Sequence, residues 1–139
     1  MTMAMKMKVL HYPEKGKIAT FANTLASEYQ VKADKIPPAY DCSNERILFV
    51  GISSSKFIDA PLSRFLRGLD SAKVQNVAMF TDAPDSTIEE MKNIITENGV
   101  TVMDVKKVKG SFLSFLTGVK PEEMEDLKTW AKGITEQLQ

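Results

Sequence analysis

Cysteine and histidine each occur once in 139 residues, as Cys42 and His11. A single cysteine cannot close an internal disulfide, and with no Cys/His cluster around it no metal site is expected. An excess of one charge is also missing. Lys+Arg and Asp+Glu both total 18, so the net charge is zero. A dedicated nucleic-acid surface normally carries a basic excess, so no nucleic-acid partner is expected. No apolar run reaches the roughly 20 residues that cross a bilayer. The start, Met1 to Lys8, alternates methionine with polar or small residues and holds no signal-peptide core. A cytoplasmic location without a membrane partner is the resulting expectation. Repeats, linkers and low-complexity tracts are lacking too, which leaves a single domain over residues 1–139.

What is present is an ordinary globular composition, 43% hydrophobic and 26% charged. The length suffices for one sizeable core. Met7 to Tyr12 reads as a strand. After a turn with one glycine, Ile18, Phe21, Ala22, Leu25, Ala26 and Tyr29 recur at helical spacing. Val31 to Ile36 alternates weakly, as an edge strand would, and Pro37-Pro38 ends it. Arg46 to Ile52 is the strongest strand, apolar without alternation, as expected when helices cover both faces. A helix beginning near Asp59, with Pro61 in its first turn, turns Leu62, Phe65, Leu66 and Leu69 inward. Asn76 to Thr81 is another buried strand. Ser86-Thr87-Ile88-Glu89 has capping-box spacing and predicts a helix start. Ile88, Met91, Ile94 and Ile95 form that helix's stripe, and Asn98-Gly99 its stop. Val100 to Val105 is the last strand. Phe112 and Phe115 sit in an irregular stretch. Pro121 opens a final helix with Met124, Leu127, Trp130, Ala131, Ile134 and Leu138 inward. The order β-α-β-β-α-β-α-β-α predicts five parallel strands with helices on both faces.

Three loops then converge at the carboxyl ends of the strands, where open α/β sheets bind ligands: Pro13–Ile18, Ser53–Ile58 and Thr81–Asp85. A receiver domain would need an acidic pair after strand one and a phospho-accepting aspartate after strand three. Those places hold Pro13-Glu14 and Ser53-Ser54. A low-molecular-weight tyrosine phosphatase would need a cysteine and an arginine in the first loop, which has neither. A dinucleotide G-x-G-x-x-G is absent, since Gly16 stands alone there. The first loop does open directly into a helix, whose free N–H groups and dipole suit a phosphate.

The strand-turn-helix from Val9 to Ile18, the strands Ile47–Gly51 and Val77–Thr81, and the tail from Lys109-Gly110 through Gly118 to Leu127 resemble a short-chain flavodoxin or flavodoxin-like protein. The resemblance covers nearly the full length. It implies a flavodoxin-like three-layer sandwich, a five-stranded parallel sheet in the order 2-1-3-4-5. It also implies FMN as cofactor, electron transport as activity and a redox partner protein, with no catalytic side chain. In that family a first loop similar to Ser/Thr-x-Thr-Gly-x-Thr holds the FMN phosphate. The matching positions here are Pro13, Glu14, Lys15, Gly16, Lys17 and Ile18. Only Gly16 agrees. The hydroxyls are gone, Pro13 lacks an N–H, and Glu14 repels phosphate, while Lys15 and Lys17 add cations.

The family's flavin ring is held by side chains of the second and third loops. Phe57 is the aromatic candidate, with packing against the helix start as the alternative. Ser53, Ser54 and Ser55 offer hydroxyls. The third loop, with Thr81, Asp82 and Ala83, has no aromatic; its acids Asp82 and Asp85 would disfavour an anionic reduced flavin or cap the next helix. Family members are strongly acidic, which aids docking to basic partners; this chain is neutral. His11 reads as a rim or packed residue, Cys42 as a bystander and Trp130 as structural. Three expectations follow: an FMN-binding electron carrier; a flavodoxin-fold module that has lost FMN and binds a ligand or protein; or an FMN-dependent reductase, with a homodimer as an option.

Overall fold

Every residue of the strand Ile47–Ile52 is buried, because helices cover the sheet on both sides of it. This is β3, the middle of a five-stranded sheet. The computed structural model describes residues 5–109 and 119–139. The strands are β1 Met7–Tyr12, β2 Ala33–Lys35, β3, β4 Asn76–Thr81 and β5 Thr101–Lys107, and the described helices are α1 Lys17–Glu28, α2 Ala60–Arg67, α3 Asp85–Glu97 and α4 Pro121–Gln137. All strand pairs are parallel, in the order β2-β1-β3-β4-β5. The fold is flavodoxin-like.

Alternate residues of β3 feed two cores. Leu48, Val50 and Ile52 join Leu62 and Leu66 of α2 and Met91 and Ile95 of α3. Ile47 and Phe49 join Phe21 and Leu25 of α1 and Leu127 and Ala131 of α4. Trp130 packs edge-on against Phe49 and Phe80, and its indole N–H donates to Asp104 (2.9 Å). Gly51 lets α1 approach the sheet. A Cβ there would fall 2.3 Å from Phe80 and 2.8 Å from Ile18.

Several expected boundaries move. β2 has three residues, since Ile36 leaves the ladder toward Pro37 after its N–H pairs with His11. β5 runs on to Lys107 and carries a register shift opposite Val77/Ala78. The capping box at Ser86 does not form: the N-cap falls two residues earlier, at Pro84, so α3 begins at Asp85, with no side-chain cap from the described residues. Gly99 at φ 82 stops that helix as expected. On the last helix Leu127, Ala131 and Ile134 are buried, while Met124, Trp130 and Leu138 are partly covered. Phe112, Phe115 and the Gly110–Gly118 part of the tail lie outside the described residues. No described helix is long and apolar enough to cross a membrane.

Candidate functional site

The chain leaves β1 and β3 in opposite directions across the sheet, so the crevice between their carboxyl ends is the switch point of this topology. The first loop rises there. His11 is buried under it and donates Nδ1–H to the Pro13 carbonyl (2.9 Å). This fixes the ring's tautomer and anchors the loop from below. Pro13, Glu14 and Lys15 are exposed. Gly16 follows at φ +112, in the region glycine favours, and acts as the N-cap residue of α1.

Among the described residues no side chain caps α1, and its first turn holds no acid. The Gly16 carbonyl accepts from Thr20, both from its N–H (3.1 Å) and from its hydroxyl (3.2 Å). The N–H groups of Lys17, Ile18 and Ala19 precede the first intrahelical bond. They form the positive end of the helix. Ile18 itself is buried against the sheet and offers main chain only.

The two lysines of this loop part company. Lys15 is exposed. The Lys17 side chain is 7% exposed and its ammonium lies 2.7 Å from the Glu123 carboxylate at the start of α4. It also stands 5.8 Å from the centre of the Phe21 ring. The hydrogen bond from Lys17 holds the Glu123 carboxyl below the usual range, against the opposing effect of partial burial.

The second and third loops are joined by Asp82. Its carboxylate accepts from the Ser53 hydroxyl (2.8 Å) and from the Ser54 N–H (3.1 Å). The Ser54 hydroxyl turns to the Phe57 carbonyl (3.2 Å). Thr81 is buried; its hydroxyl donates to the Ile52 carbonyl (2.6 Å) and accepts from the Ala83 N–H (3.1 Å). Ala83 is buried below the loop. Ser55 is exposed, and its carbonyl accepts from Thr87 (2.9 Å). Phe57 does not pack on the helix start: it is 74% exposed, with the Lys56 ammonium 6.0 Å from its ring centre. Asp85 pairs with Lys107.

A further link ties the first loop to the second. The Tyr12 hydroxyl donates to Asp59 at the head of α2 (3.0 Å), and Ser53 N–H donates to the Tyr12 carbonyl (2.8 Å). Partial burial and the Asp59 carboxylate push the Tyr12 phenol above its ordinary pKa. Sequence reasoning named Asp59 as a helix start and Tyr12 as a strand end, but could not pair them. Nor could it pair Lys17 with Glu123, which lies far along the chain.

The expected loops therefore do converge, and their chemistry is uneven. The Ser53 hydroxyl, the Ser54 N–H and the Lys17 ammonium are engaged within the protein. The exposed Lys15 lies in the loop after β1 and the exposed Phe57 in the loop after β3, at the carboxyl ends of adjacent parallel strands. A phosphate fits this donor set through main chain and Lys15; a planar ring fits Phe57. Among the described residues no group of three potential ligands could hold a metal ion.

No protein-family model matches the sequence, and no curated protein does. Among solved structures, the chain is similar to one from Bacteroides uniformis named "Putative flavoprotein". The two share 12% identity, with a TM-score of 0.60 over 94% of this chain and 99% of that one. At that identity the likeness shows the fold.

Proposed function

We propose that the carboxyl edge of the sheet binds FMN and that the protein carries electrons on it. One observation carries this reading: α1 opens on Gly16 at the switch point with no side-chain cap from the described residues, with buried first-turn residues and no acid in its first turn. The FMN phosphate is taken by the N–H groups of Lys17, Ile18 and Ala19, with Lys15 as the loop's exposed cation. Phe57 supplies a ring face beside the flavin. The flavin supplies the redox chemistry; the chain binds and orients it. The name of the Bacteroides uniformis neighbour supports a flavin. A place among the short-chain flavodoxins, a cytoplasmic setting and a redox partner protein belong to the same reading.

A second reading has a specific observation behind it. Asp82 occupies donors of the second loop, and Glu123 occupies Lys17. A fold whose loops satisfy one another in this way also suits an interaction module without flavin. The absorbance spectrum of freshly purified protein separates the two. The carrier is yellow, or becomes so when apo-protein is titrated with FMN and quenches its fluorescence to a defined endpoint. Colourless protein that leaves FMN fluorescence unchanged at micromolar concentrations rules the carrier out.

A further inference from the structure

A cavity of about 250 Å³ lies between the β2–β3 connection and α2, and none of the first-loop residues Pro13 to Ile18 lines it. One wall is Pro37, Pro38 and Cys42; the other is Pro61, Phe65 and Leu69. Proline rings and a phenyl ring give flat, apolar faces. Cys42 and Leu69 are themselves buried.

The wall is built in advance of any ligand. Asp34 accepts from the N–H groups of Lys35 and Ala39 (2.8 Å each), which folds the chain back around Pro37-Pro38. Those bonds hold the Asp34 carboxyl below its ordinary pKa, the one from Ala39 first. Lys8 then donates to the carbonyls of Tyr40 (2.9 Å) and Asp41 (3.0 Å) and pins the far end of the loop to β1. A pocket held in this way costs a ligand little ordering.

The rim is charged unevenly. Among the described residues that line the cavity, Arg64 and Lys73 are the cations and Asp41 the single acid. Lys73 donates to the Gly68 carbonyl at the end of α2 (3.0 Å), which leaves two of its three ammonium protons for another acceptor. Arg64 is exposed on the face of the helix turned to the cavity. Among these described lining residues two cations stand against one anion, beside an apolar slot.

We infer that this cavity between the Pro37–Cys42 segment and α2 is a binding site for a small aromatic monocarboxylate. The ring system enters between the prolines and Phe65. The carboxylate meets the Arg64 guanidinium, whose fork matches a carboxylate in two parallel hydrogen bonds. The site is separate from the edge proposed for FMN and stands whether or not flavin binds.

The test uses the full chain and 2-naphthoate as probe, followed by two-dimensional amide NMR, with 2-naphthamide as the uncharged match. Saturable shifts of the Cys42, Phe65 and Leu69 amides are expected, and protection of the Cys42 thiol from alkylation in step with them. R64Q alters an exposed residue, keeps the fold, and is expected to weaken naphthoate about tenfold. Naphthamide is expected to bind the native protein about as weakly as naphthoate binds R64Q. The inference fails if no saturable shift appears at millimolar naphthoate, if shifts fall on the first turn of α1 instead, or if R64Q and naphthamide bind as the native pair does. A K73Q variant, read the same way, separates loss of charge at the rim from loss of the Arg64 fork: a smaller weakening than R64Q is expected, and a larger one overturns the guanidinium as the anchor.

Discussion

Lys17 Nζ lies 2.7 Å from Glu123 Oε2, so the first residue of α1 is fastened to the first turn of α4. Two helices on one side of the sheet meet at the edge where the first loop rises. The lysine that sequence reasoning offered to a phosphate serves this junction. Removing the carboxylate leaves a buried ammonium without its partner, which costs more than the pair is worth in net terms. E123Q is expected to lower stability by about 2 kcal/mol, read as a shift of the urea midpoint at unchanged slope.

The same pair sets an acid limit. Glu123 has a lowered carboxyl pKa in the folded protein, mainly through the Lys17 hydrogen bond. A group depressed on folding contributes stability that is complete above its unfolded pKa and fades as the pH drops through its folded one. The native protein should therefore lose more stability than E123Q as the pH falls below the ordinary glutamate range, and the two curves should converge at the acid end. Parallel curves would show that Lys17 does not depress Glu123.

Asp82 holds the second and third loops together through Ser53 and Ser54. D82A removes an acceptor from one hydroxyl and one N–H at a half-buried position. The expected loss is about 1–2 kcal/mol. Hydrogen exchange of the Ser54 amide should accelerate, while amides of β1 keep their protection. In the FMN reading D82A also frees two donors and removes a negative charge, so FMN should bind no more weakly than to the native chain.

Two glycines should respond to alanine for different reasons. At Gly16 there is open space for a methyl group, and only the φ of +112 opposes it; the expected cost is about 1 kcal/mol. At Gly51 the methyl group meets Phe80 and Ile18 inside van der Waals distance. Overpacking there should cost about 3 kcal/mol. Thermal melts of G16A and G51A order the two. Equal losses would mean that α1 does not sit as close to β3 as described.

Phe57 is exposed, so F57A should leave the urea midpoint within about 0.5 kcal/mol of native. If the ring flanks a flavin, the same change should weaken FMN several-fold in a fluorescence titration. A large loss of stability with unchanged FMN affinity would place the ring in the protein's packing and not beside the ligand.

The sheet was legible because its strands are short apolar runs bounded by turns. Ile47–Ile52 and Asn76–Thr81 need no long-range knowledge to be read as buried strands, whereas the strand order came from the resemblance to flavodoxin-like proteins and agrees with the observed β2-β1-β3-β4-β5. Helix starts were less legible. Ser86 to Glu89 has the right residues for a capping box, yet Pro84 favours an earlier start and Asp85 becomes the first helical residue. The loops of the candidate site were found by position alone. Their partners were not, because Tyr12 with Asp59, Ser53 with Asp82 and Lys17 with Glu123 are joined by tertiary folding and leave no spacing in the sequence. Burial of Lys17 had one available clue, its place one residue before the apolar stripe of α1.

The two outermost strands bear on how copies of the protein meet. β2 has three residues, and β5 carries Asp104, Lys106 and Lys107 with its register shift beside β4. A short edge at one side and a charged, kinked edge at the other are poor templates for another strand. Among the described residues the sheet therefore ends at both sides. Growth into ribbons or fibrils by edge-to-edge addition is disfavoured in the native state. Any ordered self-association is directed to the helical faces, where side chains and not backbone groups would decide its specificity.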